Sequence, residues 1–264
     1  MTISKAFLQT FILALFITIA GILGSAIGLF LKYQEYSMPL LSAIFFMLSY
    51  WLFYKIILRR KPEFNDISFL KINHLHIFPI IITAIGLKLF EQPIYDLLRP
   101  LIVSDEFKNV IQNTQFRNRE LTFTFVFNAI SALIIAPIFE ELFFRKYLLN
   151  HLLLKNTVRN SIVISSICFS LLHLPNYLNL IPTFLMGLIL GCIMTKTKNT
   201  SLCVLFHFTF NLIVTLLKLY GKHLYENLHN FNYNKIYWLL CLLGIVFIWL
   251  GLKSLLKQKL NRTV

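Results

Sequence analysis

Long runs of apolar residues, separated by short polar turns, dominate the chain. Eight runs reach the length of about 20 residues that crosses a bilayer. They cover residues 6–31, 38–58, 74–98, 121–145, 158–175, 178–195, 200–219 and 235–256. The third run carries Lys88, Glu91 and Pro93, and we expect it to be tilted or partly interfacial. The pattern predicts an all-α polytopic membrane protein, a bundle of about eight transmembrane helices, with residues 1–264 forming one domain.

Composition agrees with this prediction. Only 14% of the 264 residues are charged and 57% are hydrophobic, whereas a soluble domain is about a quarter charged. The four cysteines lie inside apolar runs without a Cys-x-x-Cys pair, which indicates small buried hydrophobic side chains and not a disulfide framework. The net charge of +14 could indicate nucleic acid. The basic residues cluster in short loops between apolar runs, however, so we expect no nucleic acid and take the lipid bilayer as the partner.

Lysine and arginine are distributed unequally between alternate loops. With the N-terminus inside, sixteen fall on the cytoplasmic side, eight on the other side and one, Lys88, within a span. Since cytoplasmic loops carry the excess, we predict cytoplasmic N- and C-termini. Abundant Lys, Ile, Phe and Asn are typical of an AT-rich genome and favour a bacterial cell membrane.

One span ends in an unusual concentration of charge, "FEELFFRKY" at residues 139–147. Charged side chains are rare inside membranes and mark cavities or partners. Positions four apart share a helix face, so Glu141 and Arg145 are predicted to pair, while Glu140 points elsewhere as a free carboxylate. Pro137 lacks a backbone donor and is expected to kink the helix beside them.

Two further spans carry histidines at helical spacing. Phe169 and His173 lie four apart in "FSLLH", and His207 and Asn211 lie four apart in "HFTFN". Counting about 1.5 Å per residue from the polar turns places Glu140 and His173 at one level in the cytoplasmic half of the bundle. His207 lies at the same level if the hairpin that joins the fourth and fifth runs projects about 10 Å into the cytoplasm. A carboxylate, two imidazoles and an amide can activate water and stabilise an oxyanion. Alternatively, Glu140, His173 and His207 could hold Zn²⁺ with an open position.

Each motif alone has an ordinary structural interpretation. Glu–Arg pairs at this spacing are common on solvated helix faces, and a histidine at the end of a span is often interfacial. His207 and Asn211 could form an interhelical hydrogen-bond pair. The occurrence of three such motifs at agreeing depths favours a functional site.

The three motifs together resemble those of the CAAX prenyl protease 2 and bacteriocin-processing family of intramembrane proteases. That family carries Glu-Glu-x-x-x-Arg, Phe-x-x-x-His and His-x-x-x-Asn/Asp, matched in order by "EELFFR", "FSLLH" and "HFTFN". The resemblance covers about residues 121–215 and leaves the helices of residues 1–100 without an assigned function. Lys146 stands where the family commonly has glycine.

The resemblance implies an eight-helix membrane endopeptidase that cleaves a membrane-proximal peptide bond. Glu140 and His173 would activate water, and His207 and Asn211 would support the oxyanion, with Glu141, Arg145 and Phe169 in supporting positions. The substrate would be a prenylated CAAX-type tail or, in a bacterium, a signalling or bacteriocin precursor, that is, a peptide or lipopeptide. Zinc dependence is disputed for the family. The alternatives are a non-proteolytic immunity or scaffold protein of the same fold and a transporter, although no internal repeat supports the latter.

Overall fold

The apolar runs are helices in the computed structural model, which describes residues 1–31, 33–67, 72–102, 119–174, 177–230 and 234–260. Within these residues the long helices are α1 (Ile3–Leu29), α2 (Gln34–Ile56), α3 (Ile77–Ile102), α4 (Phe123–Leu153), α5 (Val158–Leu171), α6 (Leu180–Thr197), α7 (Thr200–Tyr220) and α9 (Lys235–Leu260). A short helix, α8 (Lys222–Asn230), follows α7. The described residues include no β-strand, which confirms the predicted all-α class.

Among the residues that the structure describes, seven of the eight long helices are long and apolar enough to cross a membrane, and α5 is the exception. With 14 residues, α5 is about 21 Å long, shorter than the ~30 Å hydrocarbon core. The run predicted at 158–175 therefore gives a helix that ends at Leu171, and His173 lies in the turn after it. Residue 175 lies outside the described residues.

Polar caps define where the apolar helices begin. The side chains of Thr2, Thr122, Thr157 and Asn199 accept hydrogen bonds from backbone N–H groups in the first turns of α1, α4, α5 and α7. Such caps satisfy donors that have no partner within the helix. Lys198, with φ 53°, adopts the left-handed conformation that ends α6, so α6 and α7 are joined by a very short turn.

The helices pack in pairs around a central pair. α1 packs on α2, α3 on α9 and α5 on α6, while α4 and α7 contact each other. Glycines allow close approach: a Cβ on Gly187 would lie 2.9 Å from the Ser166 Cβ of α5, and one on Gly86 would lie 2.7 Å from the Gly244 carbonyl of α9. Small residues at helix contacts are typical of membrane bundles.

Helix α4 departs from α-helical geometry at two places. Ser131–Ile135 and Leu142–Leu149 have π-helical hydrogen bonding, and Pro137 lies between them. π-helical turns widen a helix and are frequent at functional sites. In α4 they flank the pair Glu140 and Glu141.

Candidate active site

Four ionisable side chains from α4 and α7 form a buried cluster, consisting of Glu140, Glu141, Arg145 and His207. Glu141 and Arg145 have no exposed surface, and Glu140 and His207 are only 4% and 3% exposed. Buried charges are stable only when they are paired or neutralised. The contacts within the cluster therefore determine which groups remain open to chemistry.

Glu141 binds two partners, one through each carboxylate oxygen. Its Oε2 lies 3.2 Å from the Arg145 Nε, so the pair predicted from the i, i+4 spacing is present. Its Oε1 lies 2.9 Å from the Nδ1 of His207. An ionised carboxylate only accepts hydrogen bonds, so Nδ1 carries the hydrogen in this contact. The other ring nitrogen, Nε2, then faces Glu140, whose Oε2 is 3.9 Å away.

Glu140 presents one tethered oxygen and one without a hydrogen-bond partner. Its Oε1 accepts a hydrogen bond from the hydroxyl of Tyr50 on α2 at 3.3 Å. Its Oε2 has no hydrogen-bond partner among the described residues. Tyr50 is fully buried, and its ring stacks on Phe139 at 5.3 Å. Sequence reasoning did not find this contact, because a tyrosine within the apolar run of α2 has no distinguishing pattern.

Phe169 of α5 connects the second histidine to the cluster. The Arg145 Cζ lies 4.5 Å from the centre of its ring, a distance typical of a cation–π contact. The same ring contacts the rings of His173 and His207 edge-on, at 5.1 and 5.8 Å. The second motif thus supplies an aromatic face that packs against both predicted imidazoles.

His173 is oriented by its own helix. Its Nδ1 lies 3.0 Å from the carbonyl oxygen of Phe169, which can only accept. The hydrogen is therefore on Nδ1, and Nε2 of the neutral ring keeps a lone pair. His173 is partly exposed, unlike the four residues of the buried cluster.

Asn211, one turn after His207, binds the backbone of α4. Its Nδ2 donates to the carbonyl oxygen of Ala132 at 2.7 Å. In the π-helical stretch the Ala136 amide donates to Ser131, so the next donor in that register would be Pro137, which has no N–H. Asn211 thus supplies the hydrogen bond that the proline cannot. One of its two N–H hydrogens is committed to this contact.

A polar cavity extends from this bond along the first half of α4. It has a volume of about 560 Å³, and its lining includes Ala132, Asn128 and Thr215 together with Arg119 and Lys218. Thr215 also donates to the backbone carbonyl of Asn211 at 2.8 Å. The cavity therefore extends from the start of α4 to the level of Asn211 in the bundle.

Zinc binding by Glu140, His173 and His207 stays a prediction. Each histidine has a geometry that suits a metal ligand. Its Nδ1–H is bound to a carboxylate or a carbonyl oxygen, so its Nε2 could bind a metal. Among the described residues, however, no group of three His, Cys, Asp or Glu side chains is arranged to hold a metal ion.

The fold and this cluster define a class of protein: an integral, all-helical membrane protein whose polar centre is built from a Glu-Glu-x-x-x-Arg helix and a His-x-x-x-Asn helix. Residues 122–213 match the family described as "Type II CAAX prenyl endopeptidase Rce1-like". The match covers about a third of the chain and confirms the resemblance over the part that carries the three motifs. The match supports a protease of the CAAX endopeptidase kind. Neither a curated protein nor a solved structure matches the chain.

Proposed function

We propose that this protein is an intramembrane endopeptidase that cleaves a membrane-proximal peptide bond with Glu140 as its general base. The observation that carries the proposal is the unpartnered Oε2 of Glu140, buried in the cluster and 3.9 Å from the Nε2 of His207. A buried carboxylate oxygen beside an imidazole suits the binding and deprotonation of a water molecule.

The proposed reaction begins with a water molecule bound by Glu140 Oε2 and the lone pair of His173 Nε2. Glu140 takes one proton as the water oxygen attacks the scissile carbonyl carbon. The tetrahedral oxyanion then collapses, the C–N bond breaks, and the same proton passes from Glu140 to the leaving nitrogen. The products are a carboxylic acid and an amine, and the base returns to its starting state.

His207 and Asn211 are proposed to stabilise the oxyanion. His207 can donate from Nε2 when its ring is protonated, because its Nδ1 hydrogen is already bound to Glu141. Asn211 can donate its second N–H while the first holds Ala132. Removal of one such donor typically lowers the rate about 10²–10³-fold.

Arg145 and Glu141, the other charged residues of the motifs, are proposed to hold this arrangement in place. Arg145 neutralises Glu141, and Glu141 fixes the tautomer and orientation of His207. The polar cavity at Asn128 and Ala132 supports access for a peptide segment, since its volume of about 560 Å³ lies within the usual range of ligand sites.

The substrate class we propose is a peptide or lipopeptide held at the membrane, either a prenylated CAAX-type tail or a signalling or bacteriocin precursor. The family match favours the prenylated tail, whereas a bacterial origin, which stays a prediction, favours the precursor. A panel with one farnesylated CAAX peptide, its unprenylated form and one membrane-anchored precursor separates these cases by mass spectrometry of the products.

Glu140→Gln tests the proposal, with Glu91→Gln as its matched control. Both glutamates are 4% exposed in apolar helices, but Glu91 is bound to Lys88 on α3, outside the cluster. Loss of the general base should reduce cleavage about 10²–10⁴-fold, while Glu91→Gln should retain activity. Equal activity of both variants would contradict the proposal. A Glu140→Gln protein that leaves a wild-type immunity or scaffold phenotype intact would favour the non-proteolytic alternative.

A further inference from the structure

A strongly basic cavity lies where α2 ends, and its lining includes none of the motif residues. It has a volume of about 530 Å³ and is lined by Trp51, Lys55, Arg59, Arg60, Lys61, Pro62 and Phe64. Four of these seven residues are cationic, and none is acidic. We propose that this cavity binds the phosphate head group of an anionic phospholipid.

The cavity has a defined shape because its cationic turn is held in place. Arg59 adopts a left-handed conformation, with φ 52°, that reverses the chain after the helix. The Arg60 amide then donates back to the Tyr54 carbonyl at 3.2 Å, and the Arg60 Cζ lies 5.0 Å from the centre of the Tyr147 ring on α4. Phe64 packs edge-on against Phe139 at 5.6 Å. The arginines and lysines therefore surround one volume.

The location of the cavity fits a lipid head group better than a soluble phosphate. Trp51 and Lys55 belong to an apolar helix of spanning length, so the cavity lies at the boundary between hydrocarbon and head groups. Trp51 is 43% exposed, and tryptophan is typical of that boundary. Basic clusters directly after a membrane helix attract anionic lipids, and this turn falls on the predicted cytoplasmic side, where such lipids concentrate.

The chain contains a matched control for this site on α9. Lys253 lies over the ring of Trp249 at 4.3 Å, as Lys55 lies over Trp51 at 4.8 Å, and both pairs are four residues apart in a helix. Trp249 is exposed and does not line the cavity. The two pairs thus share the same local chemistry and the same predicted membrane side, but only one is part of the cavity.

Tryptophan quenching by brominated lipids tests the proposal in the full-length protein. One protein keeps Trp51 as its single tryptophan (W238F/W249F), and the other keeps Trp249 (W51F/W238F). Each is reconstituted in phosphatidylcholine vesicles with equal minor fractions of brominated phosphatidylglycerol or brominated phosphatidylcholine. We expect the anionic lipid to quench Trp51 more strongly than the zwitterionic lipid, with a smaller difference at Trp249.

Charge variants then identify the cause of the preference. In the Trp51 protein, Lys55→Gln/Lys61→Gln should weaken the preference for the anionic lipid about fivefold per charge removed. This factor corresponds to the attraction of about 1 kcal/mol that each basic residue near the membrane surface contributes. Lys55→Arg/Lys61→Arg should retain it, and Lys253→Gln/Lys257→Gln should leave it unchanged. All these lysines are exposed, so size-exclusion profiles should match the parent protein.

Three outcomes would overturn the assignment. The first is equal quenching of Trp51 by the two lipids, and the second is an equal anionic preference at Trp249, which would indicate general attraction to the membrane surface. The third is displacement of the anionic lipid by water-soluble glycerol phosphate, which would assign the cavity to a soluble phosphate compound. None of these readouts requires proteolysis, so the assignment and the proposed protease activity can fail separately.

Discussion

The hydroxyl of Tyr50 offers a sharp test of the candidate site, because α2 carries a second buried tyrosine one turn later. Tyr50 and Tyr54 are 0% and 3% exposed, and both belong to the same helix. The Tyr50 hydroxyl donates to Glu140 Oε1 at 3.3 Å, whereas the Tyr54 hydroxyl has no hydrogen-bond partner among the described residues. Tyr50→Phe and Tyr54→Phe therefore make the same chemical change in two different environments.

The two variants should differ in their effect on stability. A hydrogen bond to a charged group contributes about 1.5–3 kcal/mol, and the length of 3.3 Å places this one near the lower end, so Tyr50→Phe should lower the free energy of unfolding by about 1.5 kcal/mol. Tyr54→Phe removes a buried hydroxyl without a partner and should be neutral or stabilising. Unfolding can be followed in nanodiscs with a thiol-reactive dye, because Cys168 and Cys203 are buried in the folded state.

The same pair of variants tests positioning of the general base. If Tyr50 fixes the carboxylate of Glu140, its loss should lower kcat about tenfold, the factor that corresponds to 1.4 kcal/mol, and leave KM unchanged. Tyr54→Phe should keep both constants. The reasoning would be refuted if the two variants could not be distinguished in stability and in kcat. A rise in KM alone would assign Tyr50 to substrate binding instead.

Three further predictions concern the rest of the site. Arg145→Ala should lower the free energy of unfolding by about 3–5 kcal/mol, because it leaves Glu141 buried without its cation. Chemical unfolding in nanodiscs measures this change, and a value below about 1 kcal/mol would contradict the ion pair. Asn211→Ala should lower the free energy of unfolding by about 1–3 kcal/mol, but by less in a Pro137→Ala background, which restores the missing backbone donor. If the two substitutions have additive effects in a double-mutant cycle, this coupling is excluded. If the protein is a zinc enzyme, metal analysis should find about one ion per chain and a chelator should abolish cleavage, whereas metal-free protein with normal turnover would exclude zinc dependence.

The sequence was sufficient to predict the helices, because an apolar run of about 20 residues has few other structures open to it. It was also sufficient for the Glu141–Arg145 contact, which depends only on spacing along one helix. It did not predict that α5 ends at Leu171. Apart from His173, the apolar residues continue to Leu174, and such a run does not encode where a turn interrupts it.

The contacts that sequence reasoning missed all join different helices. Tyr50 with Glu140, Glu141 with His207, and Asn211 with Ala132 each depend on how two helices pack side by side. No spacing rule relates such positions. The orientation of the termini and the roles of the catalytic residues stay predictions, since a bundle of helices alone does not distinguish the two sides of a membrane.

The charges of the cluster connect its structure to the proposed chemistry. Glu140 and Glu141 bring two negative charges into a volume with almost no exposed surface, and Arg145 supplies one positive charge. The cluster becomes neutral when His207 is protonated, and only then does Nε2 carry a hydrogen that can be donated. Because Glu141 contacts Nδ1 of His207 and Arg145 at once, it would stabilise both groups as cations without competing for the water that Glu140 is proposed to bind. Two adjacent carboxylates, identical in chemistry, thus have different partners. In the proposed mechanism Glu141, with its two basic partners, orients the oxyanion donor, and Glu140, held by a single hydroxyl, retains an oxygen for the proton.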